Sequence, residues 1–384
     1  MQAQTRQQMG GVYYVYPEGP SAKTGTFGKA TYVISDSLGV PQGFAPFYIS
    51  HYGRHGSRWM PKDDRYVWIC KHFEDESNLT PLGLQVKGML QRVWENAKGN
   101  GGKLSKLGAL QHQGIAHRMF ERYPQIFAAG NAVKARSSVV DRCAKSMLAF
   151  TSELHTLQPG LNLDVKTDSA DMAWIAYASP EVKALENRTH VQAQVSPRRF
   201  LLQLFKDVSK VDEPLKLMTE MHTVASSIQD VGLNFSSYPQ DIEDGLNALF
   251  TDDEFRAIYD ANNLRMTINN GTVATNEDIP ARSAISLWQN IEAEADRALR
   301  SVKSSATLRF GHDTALYRLL SLLFDVNVPP AGAREEASLV VLGDETEKMD
   351  CVVPMAANLQ MIFYKNAKDS VLVKFMLNER DVML

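Results

Sequence analysis

Residues 46–58, Pro46-Phe47-Tyr48-Ile49-Ser50-His51-Tyr52-Gly53-Arg54-His55-Gly56-Ser57-Arg58, decide the fold of this chain. The stretch begins with an apolar run and then breaks at two glycines, which predicts a buried β-strand that ends in a loop. Ligands of open α/β sheets bind beyond the carboxyl ends of the strands. The polar residues of this loop therefore lie where a site is expected.

The residues that follow alternate between helix and strand patterns. Thr80-Pro81 opens an amphipathic helix with a cap residue and a proline, and Ser105 begins another helix. A strand is predicted at residues 132–135, and it leads through Arg136-Ser137-Ser138 into a helix that ends near Leu157. This order predicts an α/β fold, with a mainly parallel sheet flanked by helices.

The chain changes character from about residue 179 to residue 300, where helix starts follow one another without a convincing strand. Ser179-Pro180, Ser196-Pro197 and the capping box at residues 251–254 are such starts. Strand patterns return at residues 307–310, 359–364 and 371–375. We therefore expect one α/β core, residues 1–170 and 295–384, interrupted by an all-helical insertion, residues 171–294. The first forty residues are expected to form an irregular arm on the surface.

The composition excludes several classes of protein. The 384 residues are 44% hydrophobic and 22% charged, close to the globular average, so the chain is neither disordered nor collagenous. Its net charge of -3 gives no global reason to bind nucleic acid or an anionic membrane, and no apolar window is long enough to predict a membrane span. Any site that binds an anion must therefore come from a local cluster of basic side chains. Cys70, Cys143 and Cys351 lie far apart, which argues against a disulfide framework and a cysteine zinc site but leaves their pairing open.

The segment Arg54-His55-Gly56-Ser57-Arg58 has the residue types of a phosphate site with a nucleophile. Two arginines four residues apart can converge on one anion, and guanidinium groups match phosphate oxygens in bidentate fashion. Their charge lowers the pKa of the histidine between them and keeps one ring nitrogen neutral. Attack by that nitrogen on phosphorus gives a phosphohistidine. The alternative is a basic loop with a surface histidine.

Two further junctions between a strand and a helix carry residues of this kind. In Arg309-Phe310-Gly311-His312-Asp313-Thr314, His312 can hold a phosphoryl oxygen and Asp313 can protonate a departing alkoxide, although a helix cap is the alternative. The stretch from Arg136 to Arg142 can add an arginine to the phosphate site, although an ordinary solvated helix start is the alternative. Three junctions of this kind together favour a phosphate-binding site over three unrelated loops.

These segments resemble the defining blocks of the histidine phosphatase superfamily, in its acid phosphatase and phytase branch, in both order and spacing. The segment Leu104-Ser105-Lys106-Leu107-Gly108 resembles another block of that branch. The resemblance implies a phosphoglycerate mutase-like core with a helical insertion and hydrolysis of phosphate monoesters without a metal or other cofactor. It implies that His55 is the nucleophile and Asp313 the proton donor. The residues it implies for binding the phosphoryl group are Arg54, Arg58, Arg142 and His312.

The substrate and the compartment are less well defined. The flank of residues 46–53 and the tyrosine-rich arm look like bacterial relatives of the multiple inositol polyphosphate phosphatases, but Asp313-Thr314 replaces the Ala-Glu that is usual there. A general phosphomonoesterase and an inositol polyphosphate phosphatase both remain open, so we expect a small phosphorylated partner and no nucleic acid. The resemblance favours a periplasmic or secreted protein whose export signal has been removed. The oligomeric state is not indicated.

Two other classes of function stay open. One is a metal-dependent phosphohydrolase of the HD type that uses His312-Asp313 as ligands, and the other is a protein that binds phosphate or inositol phosphates without turnover. Five histidines have no metal-ligand spacing and are predicted to be packing or surface residues: His51, His112, His117, His155 and His190. Four cations of the insertion are predicted to be solvated, with contacts to further substrate phosphates as the alternative: Lys183, Arg188, Arg198 and Arg199.

Overall fold

The computed structural model describes residues 6–16, 24–27, 30–33, 42–271, 273, 275–324 and 353–382. The strands in these residues are β1 (Thr24–Phe27), β2 (Ala30–Val33), β3 (Phe44–Arg54), β4 (Ala132–Ser137), β5 (Asn162–Thr167), β6 (Ser305–Gly311), β7 (Asn358–Asn366), β8 (Val371–Leu377) and β9 (Arg380–Val382). The helices are α1 (Asp63–Lys71), α2 (Pro81–Ala97), α3 (Lys106–Arg122), α4 (Asp141–Leu157), α5 (Met172–Ile175), α6 (Pro180–Arg188), α7 (Arg198–Leu204), α8 (Pro214–Val231), α9 (Gln240–Asn247), α10 (Asp252–Asn270), α11 (Ile279–Ser283), α12 (Ile285–Leu299) and α13 (Asp313–Phe324).

The main sheet of the described residues has seven strands in the order β5-β4-β6-β3-β7-β8-β9. The first four are parallel neighbours, whereas each of the last three is antiparallel to the strand before it. β7 and β9 thus run against the other five strands. The predicted α/β fold with a mainly parallel sheet is confirmed. β1 and β2 form a separate antiparallel pair.

The register of the central strands brings the predicted junctions together. Arg54 at the end of β3 is level with Gly311 at the end of β6, and Ser137 at the end of β4 is level with Phe310. The carboxyl ends of these three strands therefore meet at one edge of the sheet.

Helices cover both faces of the sheet. On one face, Ile115 of α3 and Phe150 of α4 share a buried apolar cluster with Leu308 of β6. On the other face, Leu316 of α13 and Ile291 of α12 pack in a cluster with residues of β7. Burying the apolar faces of these helices fixes the strand ends on which the site is built.

A helical layer lies beside this core. The chain between β5 and β6 contains α5 to α12 and, within its described residues, no strand. Apolar residues of α1 and α2, such as Ile69 and Val86, share a buried cluster with α7 to α10. Those two helices thus pack with helices of the predicted insertion, and the boundaries at residues 170 and 295 stay a prediction. None of the described helices is long and apolar enough to cross a membrane.

Helix caps follow the sequence patterns at most of the predicted starts. Thr80, Ser105 and Ser179 each accept a hydrogen bond from a backbone N–H three residues later, and Thr251 forms the capping box. The start at Ser196-Pro197 differs, because Pro197 occupies the N-cap position of α7, and the Ser196 hydroxyl accepts from the backbone N–H of Arg198, only two residues later, at 3.4 Å.

The surface arm predicted for the first forty residues was wrong for residues 6–16. A 3-10 helix spans Gln8–Tyr13, and the side chains of Met9, Tyr13 and Tyr16 are buried. Gly10 permits this close packing, because a Cβ there would lie 2.9 Å from Nε2 of Gln229 on α8. Residues 6–16 are thus packed against the helical layer.

Candidate active site

The three predicted junctions meet at the edge of the sheet. The backbone N–H of His55 donates to the carbonyl of Gly311 at 3.0 Å, and that of Ser138 donates to Phe310 at 2.9 Å. The rings of His55 and His312 lie edge to face, with centroids 5.8 Å apart and an interplanar angle of 75°. Residues distant in sequence thus form one cluster, which contains all six residues that the motifs indicated.

His55 is held as a neutral imidazole. Its Nδ1 lies 2.9 Å from the carbonyl oxygen of Gly56, which can only accept, so Nδ1 is assigned the proton and Nε2 a free lone pair. Burial, followed by the charges of Arg54, Arg58 and Arg142, holds the pKa of His55 well below its ordinary value. The ring therefore presents an unprotonated nitrogen to the cluster at neutral pH.

The loop that carries His55 is fixed by α3. The side-chain amide of Gln111 accepts from the backbone N–H of Ser57 at 2.7 Å and donates to its hydroxyl at 3.0 Å. Ser105, the cap of α3, donates its hydroxyl to the carbonyl of Ser57 at 3.0 Å. Glycine is required where the backbones touch, because a Cβ on Gly108 would lie 2.2 Å from that carbonyl oxygen. The segment at residues 104–108 therefore holds the loop that carries His55 in place.

Asp313 forms an ion pair with Arg54. Nη2 of the fully buried Arg54 lies 3.1 Å from Oδ2 of Asp313, while its Nη1 donates to the carbonyl of Val353 at 2.7 Å. Burial opposes the ionisation of Asp313, but the charge of Arg54, with smaller effects of His312 and Arg58, holds its pKa below the usual value. The carboxyl is thus ionised when no phosphate is bound.

Arg58 and Arg142 bring further positive charge. Arg58 donates from Nη1 to the carbonyl of Trp59 at 2.8 Å, and its guanidinium lies 5.4 Å from the ring centre of Tyr13. Burial, and then the charge of Arg58, lowers the pKa of Arg142. The buried Nε atoms of both arginines have no hydrogen-bond partner within the described ranges. Such N–H groups beside uncompensated positive charge favour an anion.

His312 is also neutral. Its Nε2 lies 3.2 Å from the hydroxyl of Ser138. Burial, and then the charge of Arg142, lowers its pKa to about 4. Beside it, the Cys143 thiol donates to the carbonyl of Gly311 at 3.1 Å, and burial raises the pKa of this thiol to about 11. Cys143 and Cys70 are unpaired, and Cys351 lies outside the described residues.

A cavity of about 300 Å³ adjoins the cluster at Thr314. Tyr13, Arg65 and Arg265 line it, together with the asparagines Asn262, Asn263, Asn269 and Asn270. The lining does not include the four cations of the insertion for which contacts to further substrate phosphates were the alternative: Lys183, Arg188, Arg198 and Arg199. Arg199 forms an ion pair with Glu254. The sequence motifs missed Tyr13, Arg65 and Arg265, because each lies far from the others along the chain.

The remaining predicted residues lie away from this cluster or take no part in it. His51 and His112 are buried, His117 pairs with Glu153, and His155 and His190 are exposed, so the five are packing or surface residues as predicted. Arg136 points away and pairs with Asp164. No group of three His, Cys, Asp or Glu side chains that could hold a metal ion occurs in the part of the chain that the structure describes.

Comparison with known proteins gives a consistent set of relatives, although no protein-family model matches the chain. Multiple inositol polyphosphate phosphatase 1 of Gallus gallus is 23% identical over 298 residues, which cover 73% of this chain and 64% of that protein. The chain thus spans less than two thirds of that relative's length.

Solved structures share the fold at low sequence identity. The multiple inositol polyphosphate phosphatase of Bifidobacterium longum in complex with inositol hexasulfate superposes with a TM-score of 0.70 at 17% identity, over 97% of this chain and 92% of that one. The phytase from D. castellii gives a TM-score of 0.65 at 13% identity, over 99% and 80%. The chain therefore has the histidine acid phosphatase fold of the multiple inositol polyphosphate phosphatases and phytases, the branch that its motifs resemble.

Proposed function

We propose that this chain hydrolyses phosphate monoesters through a phosphohistidine at His55, and that its substrates are inositol polyphosphates. The observation that carries the proposal is the free Nε2 of His55 in a buried cluster with three arginines and Asp313. A neutral imidazole among fixed positive charges is suited to attack a phosphoryl group that those charges bind.

The first step transfers the phosphoryl group to the enzyme. Arg54, Arg58 and Arg142, with the neutral ring of His312, bind the non-bridging oxygens. Nε2 of His55 attacks phosphorus in line as the bond to the ester oxygen breaks. The departing oxygen takes a proton from Asp313, which matters because an alcohol is a poor leaving group.

Asp313 must gain a proton before this step. Its partner Arg54 lies 3.1 Å away and favours the carboxylate in the free enzyme. A bound phosphate dianion offsets the charge of Arg54 and adds negative charge nearby, so binding raises the proton affinity of the acid. Substrate binding thereby prepares the proton donor.

The second step restores the enzyme. Water attacks the phosphohistidine, the bond between phosphorus and nitrogen breaks, and the carboxylate of Asp313 accepts a proton from the water. Inorganic phosphate leaves, and His55 returns to its neutral form with the proton on Nδ1. No other group is required to balance the two steps.

The cavity beside Thr314 supports a polar substrate with several anionic groups. Its four asparagines offer hydrogen bonds to hydroxyl and phosphate oxygens. Arg265 brings positive charge, while Arg65 is paired with Glu220 and the lining residue Glu186 with Arg318. The relatives that share this fold include proteins named inositol polyphosphate phosphatases and phytases. Both observations favour inositol polyphosphates over simple phosphate esters.

Phosphate release from three esters at substoichiometric enzyme tests the proposal. Inositol hexakisphosphate is expected to give the highest kcat/KM, above a sugar phosphate and p-nitrophenyl phosphate, with activity retained after chelator treatment. Equal kcat/KM on all three would favour a general phosphomonoesterase. Binding without any release would support the phosphate-binding alternative, and loss of activity on chelation would support the metal-dependent one.

We also place the protein in the periplasm or outside the cell, which rests on the sequence resemblance. Fractionation of cells that express the natural gene tests this location, and recovery of the protein in the cytoplasmic fraction alone would contradict it.

A further inference from the structure

The N-terminal segment of residues 6–16 connects the helical layer to the sheet. At one end, the guanidinium of Arg6 donates to the carboxylate of Asp252 at 2.7 Å and to the carbonyl of Phe250 at 2.8 Å. At the other end, Tyr14 accepts from the backbone N–H of Met355 at 2.8 Å, and the hydroxyl of Tyr16 donates to Glu379 at 2.9 Å. The segment is thus fixed on both sides of the candidate active site.

Tyr13 lies between these two attachments and faces the phosphate cluster. Its side chain is only 7% exposed, and its ring centre lies 5.4 Å from the guanidinium carbon of Arg58. Arg58 itself donates to one carbonyl, that of Trp59, while its Nε is buried and has no hydrogen-bond partner among the described residues. The aromatic face is therefore a principal contact of this guanidinium, and it limits where the charge can lie.

Tyr13 also lines the cavity beside the cluster, together with Arg65 and Thr314. Burial lowers the pKa of Arg65, but the oxygen of Tyr13 and the carboxylate of Glu220 outweigh it and raise this pKa. Arg65 also donates from Nε to the carboxylate of Glu220 at 2.7 Å, so Tyr13 and Glu220 together hold its guanidinium. One side chain thus contacts an arginine of the phosphate cluster and lines the neighbouring cavity with a second arginine.

We propose that Tyr13 is a positioning residue with two separable roles. Its ring fixes Arg58 for the phosphoryl group under attack, and its hydroxyl orients Arg65 toward the remaining groups of a larger substrate. The inference rests on the proposed function of the cluster. It assigns to the N-terminal segment a part in substrate selection that none of the sequence motifs indicated.

Two substitutions separate these roles. Tyr13→Leu keeps an apolar side chain but removes the aromatic face, so the dissociation constant of inorganic phosphate is expected to rise about tenfold. Tyr13→Phe keeps the face and is expected to bind phosphate within about twofold of the natural chain. Because it lacks the hydroxyl, the same variant is expected to raise the KM for inositol hexakisphosphate severalfold while the KM for p-nitrophenyl phosphate stays the same. Tyr177→Leu, at a tyrosine that is 40% exposed and outside the cavity lining, serves as the matched control.

Calorimetric titration with inorganic phosphate, combined with steady-state kinetics, tests both roles of Tyr13. Unchanged phosphate binding in Tyr13→Leu would overturn the role of the ring, as would an equal loss in Tyr13→Phe. Equal KM changes on both esters in Tyr13→Phe would overturn the role of the hydroxyl. If the leucine variant does not fold, the measurements on Tyr13→Phe alone test the proposal. These outcomes leave the proposed function intact, whereas a natural chain that binds no phosphate would contradict both proposals.

Discussion

Nη2 of Arg54 lies 3.1 Å from Oδ2 of Asp313, and this ion pair joins the end of β3, which precedes the nucleophile, to the start of α13, which carries the acid. Arg54 is fully buried, so the pair is little screened by solvent. The acid and the phosphate therefore compete for the same guanidinium. The dependence of the proposed reaction on the leaving group and on pH follows from this competition.

Asp313→Asn is expected to discriminate between leaving groups. Loss of the proton donor should lower kcat for an alkyl phosphate by roughly 10²- to 10⁴-fold, the usual contribution of general acid catalysis. For p-nitrophenyl phosphate, whose leaving group needs little protonation, the loss should be less than about tenfold. Asp253→Asn, at an exposed carboxylate, is the control. Equal losses on both esters would show that Asp313 is not the donor.

The activity should depend on pH in a direction set by the same residue. Arg54 and the smaller effects of His312 and Arg58 hold the pKa of Asp313 below its usual value, so the protonated donor becomes rarer as the pH rises. We expect kcat/KM for an alkyl phosphate to be higher below neutral pH than at neutral pH, and to decrease steadily as the pH rises above neutrality. A profile that is flat from acidic to alkaline pH would contradict this assignment.

The free energy of unfolding should decrease on acidification. Burial, with smaller effects of His112 and Arg309, lowers the pKa of His51 from 6.5 to about 3 in the folded chain. Between these two pH values the unfolded chain binds a proton at this residue that the folded chain does not bind, so acid favours unfolding. This residue alone contributes a slope of about 1.4 kcal/mol per pH unit.

Urea denaturation at pH 7 and pH 5 measures this slope. His51→Leu should reduce it, because both ring nitrogens of His51 lack hydrogen-bond partners within the described ranges and an apolar side chain can replace the ring. His155→Gln, at an exposed histidine, should leave the slope unchanged. An equal slope in the natural chain and in His51→Leu would refute the explanation.

Contact between the backbones of the nucleophile loop and α3 gives a further prediction. Gly108→Ala would place a Cβ 2.2 Å from the carbonyl oxygen of Ser57, so the loop must move. We expect a loss of about 1–3 kcal/mol in the free energy of unfolding, as in other overpacked sites, together with a lower kcat.

Gly88→Ala is the matched control for that substitution. Gly88 also lies in a helix, α2, but a Cβ there meets no atom within 4 Å. Alanine should therefore stabilise the chain by about 0.5–1 kcal/mol and leave kcat unchanged. Similar destabilisation by both substitutions would show that the close contact at Gly108 is not the cause.

The clustered residues of the site could be predicted because each lies within a few positions of a strand end. Arg54 is the last residue of β3 and His55 follows it, and His312 and Asp313 directly follow β6. Since parallel strands end at one edge, short motifs on neighbouring strands must converge. Arg136 shows the limit of this reasoning, because it lies on β4 itself and its side chain reaches Asp164 on the neighbouring strand.

Other features depend on tertiary contacts that leave no local pattern. Tyr13 and Arg65 reach the site from separate segments, residues 6–16 and α1, and only the tertiary packing of both segments brings them together. Strand β5 was not predicted, because it lies at the edge of the sheet and most of its residues are partly or fully exposed. The helices α1 and α2 pack with the helical layer through long-range apolar contacts that their own periodicity does not specify.

Trapping the covalent intermediate tests the central claim most directly. After brief incubation with a substrate labelled with radioactive phosphate and acid-free denaturation, the natural chain should carry label that is stable to base and labile to acid, and peptide mapping should locate it at His55. His55→Ala should carry none, whereas His51→Leu should be labelled normally. Label that persists in His55→Ala, or label that is stable to acid, would contradict a phosphohistidine at this residue.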